Sequence, residues 1–220
     1  SSAASDVYKR QLHKEYSLPV ALNVGDLLIG EGYRLLSVSR ACAESVAAML
    51  KVAASGHRNL CRGQGNELLS RLAPDRLTPA EITEIFRMKT APAFEVALRL
   101  GAICGGADTR IHEVLANFSD YLGIAYQVRD DIDDFRSHDD SAETPDPASL
   151  VAALSRHISR ERAGCGTNPT SIGLEIAREM VQYYRAKAIE SLGPLNNVEL
   201  KSLLCRVVGR ILGQAYKSVD

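Results

Sequence analysis

Tyr121-Leu122-Gly123-Ile124-Ala125-Tyr126-Gln127-Val128-Arg129-Asp130-Asp131-Ile132-Asp133-Asp134 is the stretch on which the fold turns. It begins apolar and ends with four aspartates in five residues. Asp130 and Asp134 are four apart and Asp131 and Asp134 three apart, so on a helix their carboxylates share a face. That arrangement is unfavourable by itself. Like charges at this spacing repel, aspartate is a poor helix former, and the negative end of the helix dipole opposes carboxylates at a C-terminus. Each effect costs a few tenths of a kcal/mol up to about 1. A hard divalent cation removes the conflict, since magnesium takes oxygen ligands and is commonly held by one or two carboxylates plus substrate phosphate. The other reading is an acidic helix end in water, and spacing alone leaves both open.

Outward from this stretch the pattern stays helical. Alanine, leucine, glutamate and arginine dominate, and no β-branched alternation is long enough for a strand. Apolar residues recur at helical spacing from Leu18 to Leu36, and a second helix is expected from about Val38 to Arg71. Thr78-Pro79-Ala80-Glu81 opens the next: Thr78 as N-cap, Pro79 at the first helical position, Glu81 closing a capping box. Pro92 removes a backbone donor, so a break is expected just after Lys89-Thr90, with the helix resuming to Gly105-Gly106. The acidic helix is expected over Thr109–Phe135, followed by a loop at Arg136–Pro145. Asp146-Pro147 should cap a short helix reaching Arg160, Ala163–Asn168 should be a loop, and a helix should span Ser171–Leu192. Asn196 with Glu199 should start the last one.

Lys89-Thr90 supplies a cation and a hydroxyl at the expected break, groups that suit a phosphate. A solvated lysine before a kink is the plainer reading of that pair alone; beside a magnesium-like acidic cluster it becomes a diphosphate hypothesis.

At this point the residues resemble a known family. Gly123 to Asp134 is similar to the second aspartate-rich region of trans-prenyl diphosphate synthases, G-x-A-[FY]-Q-x-x-D-D-x-x-D. Lys89-Thr90-Ala91 resembles that family's K-T-A helix, and Arg62-Gly63-Gln64 with Glu67 its G-Q-x-x-[DE] helix. His13-Lys14-Glu15-Tyr16 and Ala21 to Asp26 resemble its H-x-x-[YF] and A-x-x-x-G-D stretch. The four motifs stand in the family's order over His13 to about Phe135.

The resemblance implies an all-α antiparallel helix bundle around a central cavity. It implies Mg2+ as cofactor, with Asp130, Asp131 and Asp134 at the metal, and Lys89, Thr90, Gln127 and His13 toward the substrate, the first three at the diphosphate end. The implied substrates are an allylic prenyl diphosphate and isopentenyl diphosphate, joined after metal-assisted loss of diphosphate. The implied assembly is a homodimer.

Two departures qualify it. The family's first aspartate-rich motif lies upstream of the position of His13, and Asp6 alone does not replace it. The family's lysines after the second motif are missing from Arg136–Pro145, which instead adds Asp139, Asp140 and Glu143. Residues 1–11 do not share the helical texture and are read as a non-native or disordered terminus, leaving 12–220 as one helical domain lacking its N-terminal helices. Two alternative functions therefore stand beside the synthase: a non-catalytic partner subunit, and a class I terpene cyclase. Product length cannot be read.

Composition narrows the field further. At 220 residues, 45% hydrophobic, 24% charged and net charge −1, the chain has the balance of one globular domain and no field to draw nucleic acid or an anionic surface. No run is long and apolar enough for a membrane span. The five cysteines, Cys42, Cys61, Cys104, Cys165 and Cys205, are scattered, which suits reduced thiols packed as small hydrophobes in a cytoplasmic protein. No nucleophile elbow, phosphate loop or dinucleotide fingerprint occurs, and His112-Glu113 and His138-Asp139 stand as isolated pairs.

Overall fold

The computed structural model describes residues 12–73, 77–139, 146, 148–161 and 168–213. Among them there is no strand. The helices are α1 (Leu18–Ser37), α2 (Ala43–Ser70), α3 (Pro79–Cys104), α4 (Thr109–Asp139), α5 (Leu150–Glu161), α6 (Pro169–Ser191) and α7 (Val198–Leu212). The chain divides into two compact units, Ser1–Ala53 and Ala54–Asp220, so α2 runs through the boundary.

In the first unit, α1 starts on Ser17, whose hydroxyl accepts from the Val20 amide. None of its residues is buried. In the second unit α4 is the central helix, packed most extensively against α3 and α6, while α5 leans on α6. Its apolar side chains feed two clusters. Ile124, Val128 and Ile132 meet Ile82 and Phe86 of α3, Leu150, Val151 and Leu154 of α5, and Ala177 and Val181 of α6. Toward the other end, Val114, Leu115, Phe118 and Leu122 meet Ala188, Leu192 and, from α7, Leu204 and Val208. Phe118, Leu122, Val128 and Ile132 are wholly buried. At about 2 kcal/mol for each large side chain removed from water, this stripe fixes the rotation of α4.

The caps explain most boundaries. The Thr78–Glu81 capping box forms as expected. α3 ends in a Schellman turn, with the Ala107 amide on the Ala102 carbonyl and Gly106 at φ 66°. The break expected after Thr90 does not occur: α3 is helical through Pro92. Proline loses its own hydrogen bond, but close packing of neighbouring helices holds the segment helical. Pro92 and Ala91 are buried. A Cβ on Gly123 of α4 would lie 2.6 Å from the Ala91 Cα, and one on Gly63 of α2 would lie 2.4 Å from the Lys89 nitrogen. Only glycine lets both backbones come so near.

Other boundaries shift. The second helix begins at Ala43 instead of Val38, and α4 runs on to Asp139, so its acidic cluster lies a turn inside the end. Asn197, not Asn196, caps α7, accepting from the Leu200 amide. Asn168 caps α6 with Pro169 in its first turn, earlier than Ser171. The expected loop residues 140–145 and 163–167, and the terminus 1–11, lie outside the described residues.

Candidate active site

Lys89 and Thr90 sit on α3 at the level where Gly63 and Gly123 admit α2 and α4. The Lys89 ammonium is 2.8 Å from Glu67 Oε1 on α2, and both side chains are largely buried. Glu67 is steadied further, since Gln64 Nε2 donates to its Oε2 at 3.2 Å and Arg71 lies 3.6 Å from the same Oε1 that meets Lys89. Lys89 also lies over the Phe86 ring at 5.5 Å. The R-G-Q-x-x-E stretch thus supplies the counter-ion of the lysine.

Thr90 Oγ1 donates to Gln127 Oε1 at 2.9 Å, across from α3 to α4. This bond orients the amide: its carbonyl is engaged, and its NH2 group is left as the donor for an anion. Gln127 is one turn before Asp130 and Asp131. Arg129 places its guanidinium on the Ile211 carbonyl at the end of α7 and over the Tyr126 ring, 3.9 Å from Asp133.

The aspartates have different surroundings. Asp130 is partly buried, and Asp133 and Asp134 are exposed. Asp131 Oδ2 accepts from the Val151 amide at 3.3 Å, at the start of α5. Burial pushes the Asp131 carboxyl up to about 6; the Val151 and Leu150 amides and the Lys89 charge pull the other way. Lys89 is therefore within electrostatic reach of the acidic cluster although α3 has no break beside it.

Among the described residues no three His, Cys, Asp or Glu side chains converge closely enough to cage a metal ion. The donor set still fits magnesium, which needs no protein cage: Asp130 and Asp134, a turn apart on α4, carry hard oxygens, and the ion accepts water and phosphate for the rest of its shell. His13 belongs to the first unit, exposed on the helical turn at 12–15. His112, partly buried, has its imidazole pushed down by burial and by Arg99. Cys42, Cys61 and Cys104 are exposed, so the expectation of packed cysteines fails for these three. Glu67 and Arg71 are not among the site residues expected from sequence; an acid and a base one turn apart near a lysine-bearing helix is the available signal.

Similarity to known proteins follows the same residues. The polyprenyl synthetase family model matches residues 9–146. Geranylgeranyl pyrophosphate synthase 11, chloroplastic, of Arabidopsis thaliana is 32% identical over 186 residues, covering 82% of this chain and 49% of the relative. Farnesyl diphosphate synthase of Haemophilus influenzae is 27% identical, covering 82% and 58%. The fold matches geranylgeranyl pyrophosphate synthetase from the archaeon Geoglobus acetivorans with a TM-score of 0.77 at 21% identity, over 92% of this chain and 69% of that one. It matches geranyltransferase from Helicobacter pylori, complexed with magnesium and isoprenyl diphosphate, with a TM-score of 0.70 at 23% identity, over 91% and 62%. The chain spans about half the length of the curated relatives it matches. With the motifs, the helix order and the family model in agreement over the same stretch, the chain belongs to the polyprenyl synthetase family.

Proposed function

We propose that the chain carries the diphosphate-binding part of a prenyltransferase that condenses isopentenyl diphosphate with an allylic diphosphate. The observation that carries this reading is the Thr90–Gln127 hydrogen bond beside Lys89, which assembles three residues from two helices one turn from the acidic cluster. Lys89 offers positive charge to the diphosphate, and the Gln127 NH2 group donates to a phosphate oxygen. Thr90 acts through Gln127, because its hydrogen is engaged there. Asp130 and Asp134 hold Mg2+, and when bound the ion supplies Lewis acidity toward the departing diphosphate. The alkene of isopentenyl diphosphate forms the new carbon–carbon bond as the allylic carbon–oxygen bond breaks, and loss of a proton restores the double bond. No protein nucleophile is needed; the residues bind, orient and neutralise charge.

The Helicobacter geranyltransferase, a fold match complexed with magnesium and isoprenyl diphosphate, supports this ligand pair. Homodimerisation is part of the proposal and draws support from α1, where Leu18, Leu22, Leu27, Leu28 and Leu35 are each more than half exposed. Among the described residues no helix is long and apolar enough to cross a membrane. The exposed thiols suit a reducing compartment, for which we propose the cytoplasm.

The test is calorimetric titration of inorganic pyrophosphate into the chain with Mg2+ present. Lys89→Ala, Gln127→Ala and Asp130→Asn should each weaken binding about tenfold or more. Binding that all three leave untouched would remove the reading.

A further inference from the structure

The first amides of α5 give Asp131 a task distinct from that of its neighbours. A helix leaves its leading N–H groups without intrahelical partners, and buried ones must be satisfied elsewhere. Ser149, buried, takes the Ala152 amide on its hydroxyl and the Ala153 amide on its carbonyl. The Val151 amide is left, and it goes to Asp131 Oδ2 on α4 at 3.3 Å; the neighbouring Leu150 amide also helps hold that carboxyl down. Leu150 and Val151 are wholly buried, in one cluster with Val128 and Ile132 of α4. Water has no ready access there to replace the carboxylate. Asp146 adds a second tie before the helix, accepting from the Ala148 amide at 2.8 Å and facing Arg71 of α2 at 3.4 Å.

Helix geometry separates the aspartates accordingly. At about 100° per residue, Asp130 and Asp134 are about 40° apart around α4, while Asp131 is turned about 100° from Asp130. Asp131 faces α5, and Asp130 and Asp134 lie on the neighbouring side of the helix.

We infer that Asp131 is a positioning residue, a clip that joins the start of α5 to the end of α4 and sets the rotation at which Asp130 and Asp134 present their carboxylates. This deepens the reading above and rests on it for the ligand of those two. It narrows the acidic set expected from the motif: Asp131 keeps its amides when the cation binds and does not itself ligate it.

Amide hydrogen exchange followed by NMR, paired with Mg2+ and pyrophosphate titration, tests this on the 220-residue chain. Asp131→Ala should speed exchange at Leu150 and Val151 about tenfold, whereas Asp131→Asn, which keeps an acceptor oxygen, should restore most of the protection. Asp131→Asn should bind Mg2+ and pyrophosphate within about threefold of the parent, while Asp130→Asn loses about tenfold or more. In the unsubstituted chain, ligand addition should leave both amides as protected as before. Release of the two amides by Mg2+, or equal loss of binding in Asp131→Asn and Asp130→Asn, overturns the inference. Should Asp131→Ala not fold, those last two measurements decide. Should the chain bind no magnesium, the metal reading fails, while exchange at the two amides in Asp131→Asn and in the parent still decides whether the clip exists.

Discussion

Gly123 shows how much one missing side chain can matter. It sits in the middle of α4, where alanine would ordinarily be the better helix former. A Cβ there would come within 2.6 Å of the Ala91 Cα and 2.7 Å of its nitrogen, both backbone atoms that cannot swing away. Gly123→Ala should therefore destabilise the chain by about 3 kcal/mol, read as a lower urea midpoint. A Cβ on Gly25 of α1 would meet nothing within 4 Å. Gly25→Ala should instead stabilise by a few tenths to about 1 kcal/mol. Similar melts for both would show that the approach of α3 to α4 is looser than described. Thr90→Val makes the complementary point. Valine matches the shape but leaves the partly buried Gln127 carbonyl unpaired, which costs about 1 kcal/mol, and it frees the amide to turn. Pyrophosphate affinity should fall without any change in helix content by circular dichroism; unchanged affinity would show that Gln127 needs no such orientation.

Elements are legible where a single local signal fixes them and less so where packing decides. Thr78-Pro79-Ala80-Glu81 and Gly105-Gly106 mark the ends of α3 by themselves, because caps and left-handed turns are made from adjacent residues. Pro92 misleads, because the glycines that let neighbouring helices pack closely on α3 are contributed by α2 and α4. The short helix after the acidic run starts a few residues later than Asp146-Pro147 suggests, for a similar reason: its start is fixed by Ser149 and by Asp131, nineteen to twenty residues away on α4. The capping box permits a pH test. Its hydrogen bonds to Thr78 hold the Glu81 carboxyl below the ordinary value of 4.5. A carboxyl lowered in the folded state contributes stability above its unfolded value and loses it as pH falls through the folded one. The melting difference between the parent and Thr78→Ala should thus be full at neutral pH and shrink on acidification below 4.5. A difference that is constant with pH would mean that Glu81 takes no part in the cap. Arg129 joins two elements. Its guanidinium lies on the Ile211 carbonyl, at the negative end of α7, where a cation contributes up to about 2 kcal/mol. Arg129→Met keeps much of the stem and removes the charge; it should speed amide exchange in the last turn of α7 and leave α3 unchanged.

At the scale of the whole molecule, the order of the motifs carries the family, while the site's wiring is hidden. Four motifs in sequence, from His13 to Asp134, are enough, and three of them lie on α2, α3 and α4, which meet side by side at Gly63 and Gly123. The pairing of Lys89 with Glu67 and of Asp131 with α5 is not legible, since each joins segments about twenty residues apart whose facing depends on how the helices are rotated. For α4 that rotation comes from the buried stripe of Phe118, Leu122, Val128 and Ile132. An exposed apolar face lies on α1, with Leu22 and Leu28 at 62% and 66% exposure. Ionising an allylic diphosphate needs cationic charge held from more than one side, and the sequence has a single D-D-x-x-D pattern. Asp130 and Asp134 suffice to hold one magnesium loosely, with water completing its shell. The 220-residue chain alone should therefore bind Mg2+ and pyrophosphate yet incorporate no radiolabelled isopentenyl unit onto any allylic primer. The same chain extended at its N-terminus by the corresponding segment of a curated relative should incorporate it. Incorporation by the unextended chain at a matching rate would sink the argument from one-sided charge. Failure of both, in protein shown to be folded and to bind pyrophosphate, would move the assignment to a partner subunit that keeps the diphosphate end of the bundle without its chemistry.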